Sequence, residues 1–139
     1  MTFFQSVHSV FSKYATFRGR ASRSEFWYFV LFNFILSAVI SIIVYSQIPI
    51  ETIAASDPEG FYMSVYQSMP GWASTLLSVY TLVLILPSLA VTVRRLHDTG
   101  RGGGWIFISI VPIIGNIWYF ILMVLPSQQG YNRFGPQPD

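Results

Sequence analysis

Three long stretches without a charged side chain constrain this chain more than anything else in it: Phe26–Ile48, Trp72–Val93 and Trp105–Leu125. Each has just over 20 residues. At 1.5 Å rise per residue, a helix needs about 20 apolar residues to cross a hydrocarbon core of ~30 Å. One such run fits a buried helix of a soluble fold. Three of them in 139 residues leave too little chain to cover them. Only 10% of the residues are charged, against about 25% in soluble domains, and the mean hydropathy is +0.51. In lipid the backbone must satisfy its own polar groups, so only helices and closed barrels cross. The runs are far longer than barrel strands of ~9–11 residues. The expected fold is an all-α membrane protein with three transmembrane helices, over about 26–48, 72–93 and 105–125, plus an N-terminal amphipathic interfacial helix. Residues 1–139 form a single membrane domain in this reading, with an irregular tail over 126–139. The first run is too long for the core of a signal peptide and is read as a retained span.

The segment before the first run is amphipathic and basic. Phe3, Phe4, Val7, Val10, Phe11 and Tyr14 recur at helical spacing, with Gln5, Ser6, His8, Ser9, Ser12 and Lys13 between them. A helix with that pattern lies in the membrane interface or packs on the end of the bundle. Ser22 and Glu25 then stand at capping-box spacing before the first span. Within the spans, Asn33, Ser37 and Ser41 form one stripe, and Ser74, Ser78, Thr81, Ser88 and Thr92 another. Both are expected to face other helices.

Lys and Arg set the orientation. Lys13, Arg18, Arg20 and Arg23 precede the first span, and Arg94, Arg95 and Arg101 follow the second. The 49–71 loop has Glu51, Asp57 and Glu59 and no basic residue. This places the N-terminus in the cytoplasm and the acidic loop outside. Trp105–Leu125 has spanning length, so three full spans are expected. A break at Pro112–Gly115 would instead make this segment re-entrant and return the tail, with Arg133, to the cytoplasm.

The polar island Arg94-Arg95-Leu96-His97-Asp98-Thr99-Gly100-Arg101 extends the second span. Gly100 is placed to end it in a left-handed cap. Asp98 stands i,i+4 from Arg94 and i,i+3 from Arg95, and Glu25 is a further partner for either arginine. Ser22, Glu25, His97, Asp98 and Gly100 are therefore read as structural ion pairs and caps. Arg18, Arg20, Arg94, Arg95, Arg101 and Arg133 are candidates for holding an anion, because the guanidinium fork matches phosphate and basic pockets at helix ends bind anionic lipid head groups.

Other classes fit less well. The chain has no cysteine, so disulfides, thiolate metal sites and Cys nucleophiles are excluded. An enzyme would have to use His97 and Asp98, which point in different directions on a helix. No G-x-S-x-G motif is present, no catalytic residue is assigned and no metal or cofactor is expected. The spans carry no ionisable group of the kind that marks an ion path, so a transporter subunit would need to build its lumen as an oligomer. A net charge of +2 gives no footprint for nucleic acid. Expected partners are membrane lipids, anionic ones included, and a second copy or another membrane protein.

Three motifs carry a resemblance. Phe17-Arg-Gly-Arg-Ala-Ser-Arg-Ser-Glu-Phe-Trp27, Arg94-Arg-Leu-His-Asp-Thr-Gly-Arg101 and Asn132-Arg-Phe-Gly-Pro136 resemble, in order and spacing, the domain-of-unknown-function family 805 of small bacterial inner-membrane proteins. Members often have Ser-Gly-Trp-Trp after the arginine matching Arg101, where this chain has Gly102-Gly103-Gly104-Trp105. The resemblance implies a multi-pass protein of the bacterial inner membrane in which the three motifs form one unit. It implies no activity. If Asn132 and Arg133 join that unit, the tail is cytoplasmic.

Overall fold

The structure, a computed structural model, describes residues 1–55 and 60–138. Asp57 and Glu59, two of the acids behind the expected orientation, lie outside the described residues. The order of elements is α1 (Phe3–Ser12), α2 (Arg23–Tyr45), α3 (Ile50–Ala55), α4 (Phe61–Ser68), α5 (Gly71–Asp98), a 3₁₀ helix (Gly103–Ile110) and α6 (Ile114–Val124). Among the described residues there is no strand, only an isolated bridge between Asn132 and Gly135. Two helices, α2 and α5, are long and apolar enough to cross a membrane, and α6 is a shorter apolar helix. The chain divides into two compact units, residues 33–83 and residues 1–32 with 84–139.

In the 33–83 unit, Ile40 and Val44 of α2 are buried with Ala73 of α5, and Leu36, Met69 and Tyr80 pack against them. The Tyr80 hydroxyl donates to the Asn33 carbonyl at 3.3 Å. The α5 stripe differs from expectation here. Ser74, Ser78 and Thr81 are exposed, and their hydroxyls donate to the carbonyls of Gly71, Ser74 and Leu77 in the same helix. A hydroxyl that bonds back one turn needs no partner helix. In the 49–71 stretch, Phe61, Tyr62, Val65, Tyr66 and Met69 have the spacing of a short amphipathic helix and α4 forms there, while α3 adds a further short helix.

In the other unit, α1 starts with a reciprocal box. The Gln5 amide donates to Thr2 Oγ1 at 3.4 Å, and the Thr2 amide to Gln5 Oε1 at 2.9 Å. The helix is not simply laid apolar face down. Ser6, Ser9 and Val10 form its buried edge, Phe11 meets Phe29 and Phe32 edge-on, and Phe4 is 81% exposed. Small side chains let the helix approach its neighbours closely, so the serines rather than the rings are covered.

The third apolar run does not form a single helix of spanning length. Residues 105–125 are not one helix but two arms, the 3₁₀ helix and α6, separated at Val111–Ile113. Pro112 has no amide hydrogen and disfavours helical geometry at the preceding residue, and Val111 is extended (φ −74°, ψ 117°). Ile113 takes φ +63°, a conformation that a β-branched residue adopts only under constraint. Both ends of the segment return to the end of α5. The Gln128 amide donates to the Asp98 carbonyl at 2.9 Å, and the Arg95 side chain donates to the carbonyls of Met123 and Leu125.

Gly115 lets the arms close, because a Cβ there would stand 1.9 Å from the Ile108 carbonyl oxygen. At Gly104 a Cβ would meet nothing within 4 Å. Gly115→Ala should therefore destabilise by more than the about 1–3 kcal/mol of ordinary overpacking, while Gly104→Ala should change little. Thermal unfolding of the two variants in the same detergent checks this, and equal midpoints would refute the close packing of the arms.

Candidate functional site

The end of α5 is built as a fixed platform. Gly100 takes φ +77°, the Gly100 amide donates to the His97 carbonyl, and the Arg101 amide donates to the Leu96 carbonyl. This pair of bonds is a Schellman cap. It stops the helix one turn beyond its two arginines and fixes where Arg94, Arg95, His97 and Asp98 point.

Five charged side chains are buried here: Arg20, Glu25, Arg94, Arg95 and Asp98. Asp98 is fully buried and is met by donors from three residues. Arg20 reaches its Oδ1 through Nε at 3.0 Å and Nη2 at 2.9 Å, while Arg95 Nη1 and the Ser127 hydroxyl reach Oδ2. Glu25 accepts from Arg94 Nη1 at 2.6 Å and from the Ser9 hydroxyl at 3.1 Å. The partners come from α1, the 18–22 turn, α2, α5 and the tail.

The remaining guanidinium N–H groups go mostly to backbone. Arg20 donates to the carbonyls of Gln128, Gly130 (2.7 Å) and Gly135 (3.3 Å). Arg95 bonds to Met123 and Leu125 at the C-terminal end of α6. Three buried guanidiniums against two buried carboxylates leave one positive charge in excess. The last carbonyls of a helix carry partial negative charge, and Arg95 sits on them. Arg94 is different. Its Nε and Nη2 are buried with no acceptor among the described residues.

His97 and Asp98 diverge, as neighbours on a helix must. His97 Nδ1 lies 3.1 Å from the Gly19 carbonyl, so it carries the proton and donates. The imidazole stacks on Phe134 at 3.8 Å. Asp98 faces Arg20 and Arg95 instead. Its oxygens are already committed to donors, so no base with an orienting partner is assembled from the pair.

The tail is irregular but tied down. Asn132 and Gly135 exchange backbone bonds at 3.1 and 3.0 Å, and Asn132 Nδ2 donates to the His97 carbonyl at 3.0 Å. Arg133 donates to the Gly100 carbonyl at 3.2 Å and lies 4.7 Å from the centre of the Phe134 ring.

Several expected roles change. Of the two partners expected for Arg94, it pairs with Glu25 and leaves Asp98 to Arg95. Only half of the Ser22–Glu25 box is made: the Glu25 amide donates to Ser22 Oγ at 3.2 Å, while the carboxylate turns to Arg94 and Ser9. Arg18 is exposed and outside the cluster, and the Arg101 guanidinium donates to the nearby Thr99 carbonyl rather than to a residue of the cluster. Ser9, Ser127, Gln128 and Phe134 join the site without having been singled out. Phe134 lies in the Asn132–Pro136 motif, and Ser127 and Gln128 lie in the stretch just before it.

The family model described as "Protein of unknown function (DUF805)" matches residues 14–136. This chain belongs to that family. "Inner membrane protein YhaI" of Escherichia coli strain K12 is 34% identical over 131 residues, covering 94% of this chain and 92% of the relative. "Inner membrane protein YhaH" of the same strain is 31% identical over 134 residues, covering 93% and 92%. "Uncharacterized protein YiiR", also from that strain, is 41% identical over 64 residues, 42% of this chain and 41% of the relative. No solved structure matches.

Arg20 and Arg95 each use Nε, Nη1 and Nη2, whereas Arg94 uses Nη1 alone. An ammonium replaces one nitrogen, not a fork. Arg94→Lys should thus keep its pair with Glu25 and cost about 1 kcal/mol or less. Arg20→Lys and Arg95→Lys should cost about 3–5 kcal/mol, as for breaking a buried pair. Unfolding midpoints of the three variants test the order, and an Arg94→Lys variant as damaged as Arg95→Lys would contradict it.

Proposed function

We propose that this chain is a non-enzymatic bacterial inner-membrane protein of a single membrane domain with its N-terminus in the cytoplasm. In this reading α2 and α5 cross the bilayer, and Gly102–Leu125 dips in and returns to the cytoplasmic side. The buried Arg20/Glu25/Arg94/Arg95/Asp98 cluster is a clasp that fixes the N-terminal segment, the end of α5, the base of the hairpin and the tail to one another. The basic residues left outside it meet an anionic lipid surface.

The observation that carries the reading is that Arg95 and Asp98 hold the far end of the apolar segment beside its start. Arm length supports it. Eight residues of 3₁₀ helix rise ~16 Å and eleven of α-helix about 16 Å, each near half of a ~30 Å core. The turn between them is apolar and open, with Ile110, Ile113 and Ile114 all more than 70% exposed. The location is supported by two relatives named as inner-membrane proteins. The orientation is supported by Lys13, Arg18, Arg20 and Arg23 before α2 against a 49–71 stretch without a basic residue.

A reporter fused after Asp139 tests the topology. Green fluorescence without periplasmic phosphatase activity is expected, and the opposite result would reject the re-entrant segment. The lipid part is tested separately. The unfolding midpoint should be higher in bilayers containing phosphatidylglycerol than in phosphatidylcholine alone, and equal midpoints would remove it.

A further inference from the structure

A groove of ≈ 380 Å³ opens beside the first turns of α2, lined by Arg23, Ser24, Trp27, Tyr28 and Val124. Its volume falls in the range of small-ligand sites. It is polar at one end and apolar at the other. Arg23 is the first residue of α2 and is exposed, and no acceptor among the described residues engages its guanidinium. The two nearest buried acids are committed elsewhere, Glu25 to Arg94 and Ser9, and Asp98 to Arg20, Arg95 and Ser127. Nothing in the groove neutralises Arg23.

Trp27 stands one turn further along α2, ~6 Å from Arg23 along the helix axis. Its ring meets Phe120 of α6 edge-on at 5.7 Å. Val124 in the groove is exposed, and so are Val30, Leu31 and Phe120 on the same two helices. A free phosphate would find one cation and then a wall of rings. An amphiphile with a negative head and a hydrocarbon body matches both ends. Aromatic rings of Trp and Tyr sit at the depth where head group gives way to acyl chain, and a guanidinium is the side chain best shaped for phosphate oxygens.

We propose that this groove binds one anionic phospholipid, with the phosphodiester on Arg23 and Ser24 and the first part of an acyl chain against Trp27, Tyr28 and Val124. The site rests on the membrane reading above and narrows its anionic surface to one place. The clasp arginines take no part, because they are buried and, Arg94 apart, fully engaged.

Native mass spectrometry of the full chain from detergent, with dimyristoyl phosphatidylglycerol or dimyristoyl phosphatidylcholine added, tests the site. The wild type should retain phosphatidylglycerol preferentially. Arg23→Gln should lower that retention about fivefold, and Arg23→Lys should restore most of it. Trp27→Ala should lower retention of both lipids. Arg18→Gln, an exposed charge away from the groove, should change retention less than twofold. Wild-type retention of phosphatidylglycerol by Arg23→Gln would overturn the site, as would equal losses in Arg23→Gln and Arg18→Gln, which mark a diffuse basic surface. Both of those outcomes leave the wider lipid reading standing. A wild type with no preference between the lipids would overturn the two together. Among the described residues no acceptor engages the Arg23 guanidinium, so an unchanged unfolding midpoint in phosphatidylcholine should accompany the loss in Arg23→Gln.

Discussion

The Asp98 carboxylate is the contact on which the described polar architecture depends. It is fully buried at the end of a long apolar helix. Taking an ionised carboxylate out of water costs several kcal/mol even after relaxation, and the cost is recovered only when its lone pairs are met. Here Arg20, Arg95 and Ser127 meet them. These three residues come from parts of the chain separated by an apolar helix or hairpin. One satisfied anion therefore brings together segments that hydrophobic burial alone would not order, since lipid tails solvate apolar side chains as well as protein does.

The hairpin follows from the same contact. Arg95 binds Asp98 with one nitrogen and the last carbonyls of α6 with the other two. The helix end supplies partial negative charge where the cluster has a surplus cation. An ion pair and a helix cap are thus made by one side chain. The pull on the C-terminal arm has to be matched by a chain reversal, and Val111-Pro112-Ile113 provides it. The unfavourable φ of Ile113 persists because the arms on either side are packed together at Gly115.

Much of the fold was legible in the amino-acid sequence. The two long apolar helices, the extension of α5 past Val93 and its end at Gly100 followed from charge-free length and a glycine in the right place. The hairpin was harder to see. Trp105–Leu125 carries Ser109, Asn116 and Tyr119 at the spacing of one continuous helical face, a pattern that fits one crossing helix and does not announce two half-length arms. Pro112 and Gly115 marked the place, but proline also occurs in kinked spans. Within the site, the residue types were readable and the pairings were not. Whether Arg94 or Arg95 reaches Asp98 depends on how α5 is rotated against α2. Most of the acceptors for Arg20 and Arg95 are carbonyls, which every residue has and no residue type announces. The partners of Ser9 and Ser127 were hidden for a similar reason, since a serine's pattern does not say which carboxylate it meets.

The division between buried and exposed arginines bears most directly on what the protein meets. By composition alone, Arg20, Arg94 and Arg95 are as good for an anion as Arg18, Arg23 and Arg133. Burial separates them. The first group is enclosed with two carboxylates and a ring of carbonyls. A lipid head group entering there would have to displace bonds already made in a low dielectric, where such bonds are strongest. The second group is exposed and keeps its attraction for anions, at the modest strength and salt dependence of surface charge. Mutation of a clasp arginine would then change lipid binding only through loss of structure. In the lipid contact proposed above a rim arginine would act directly, and Arg23 lines a groove beside it.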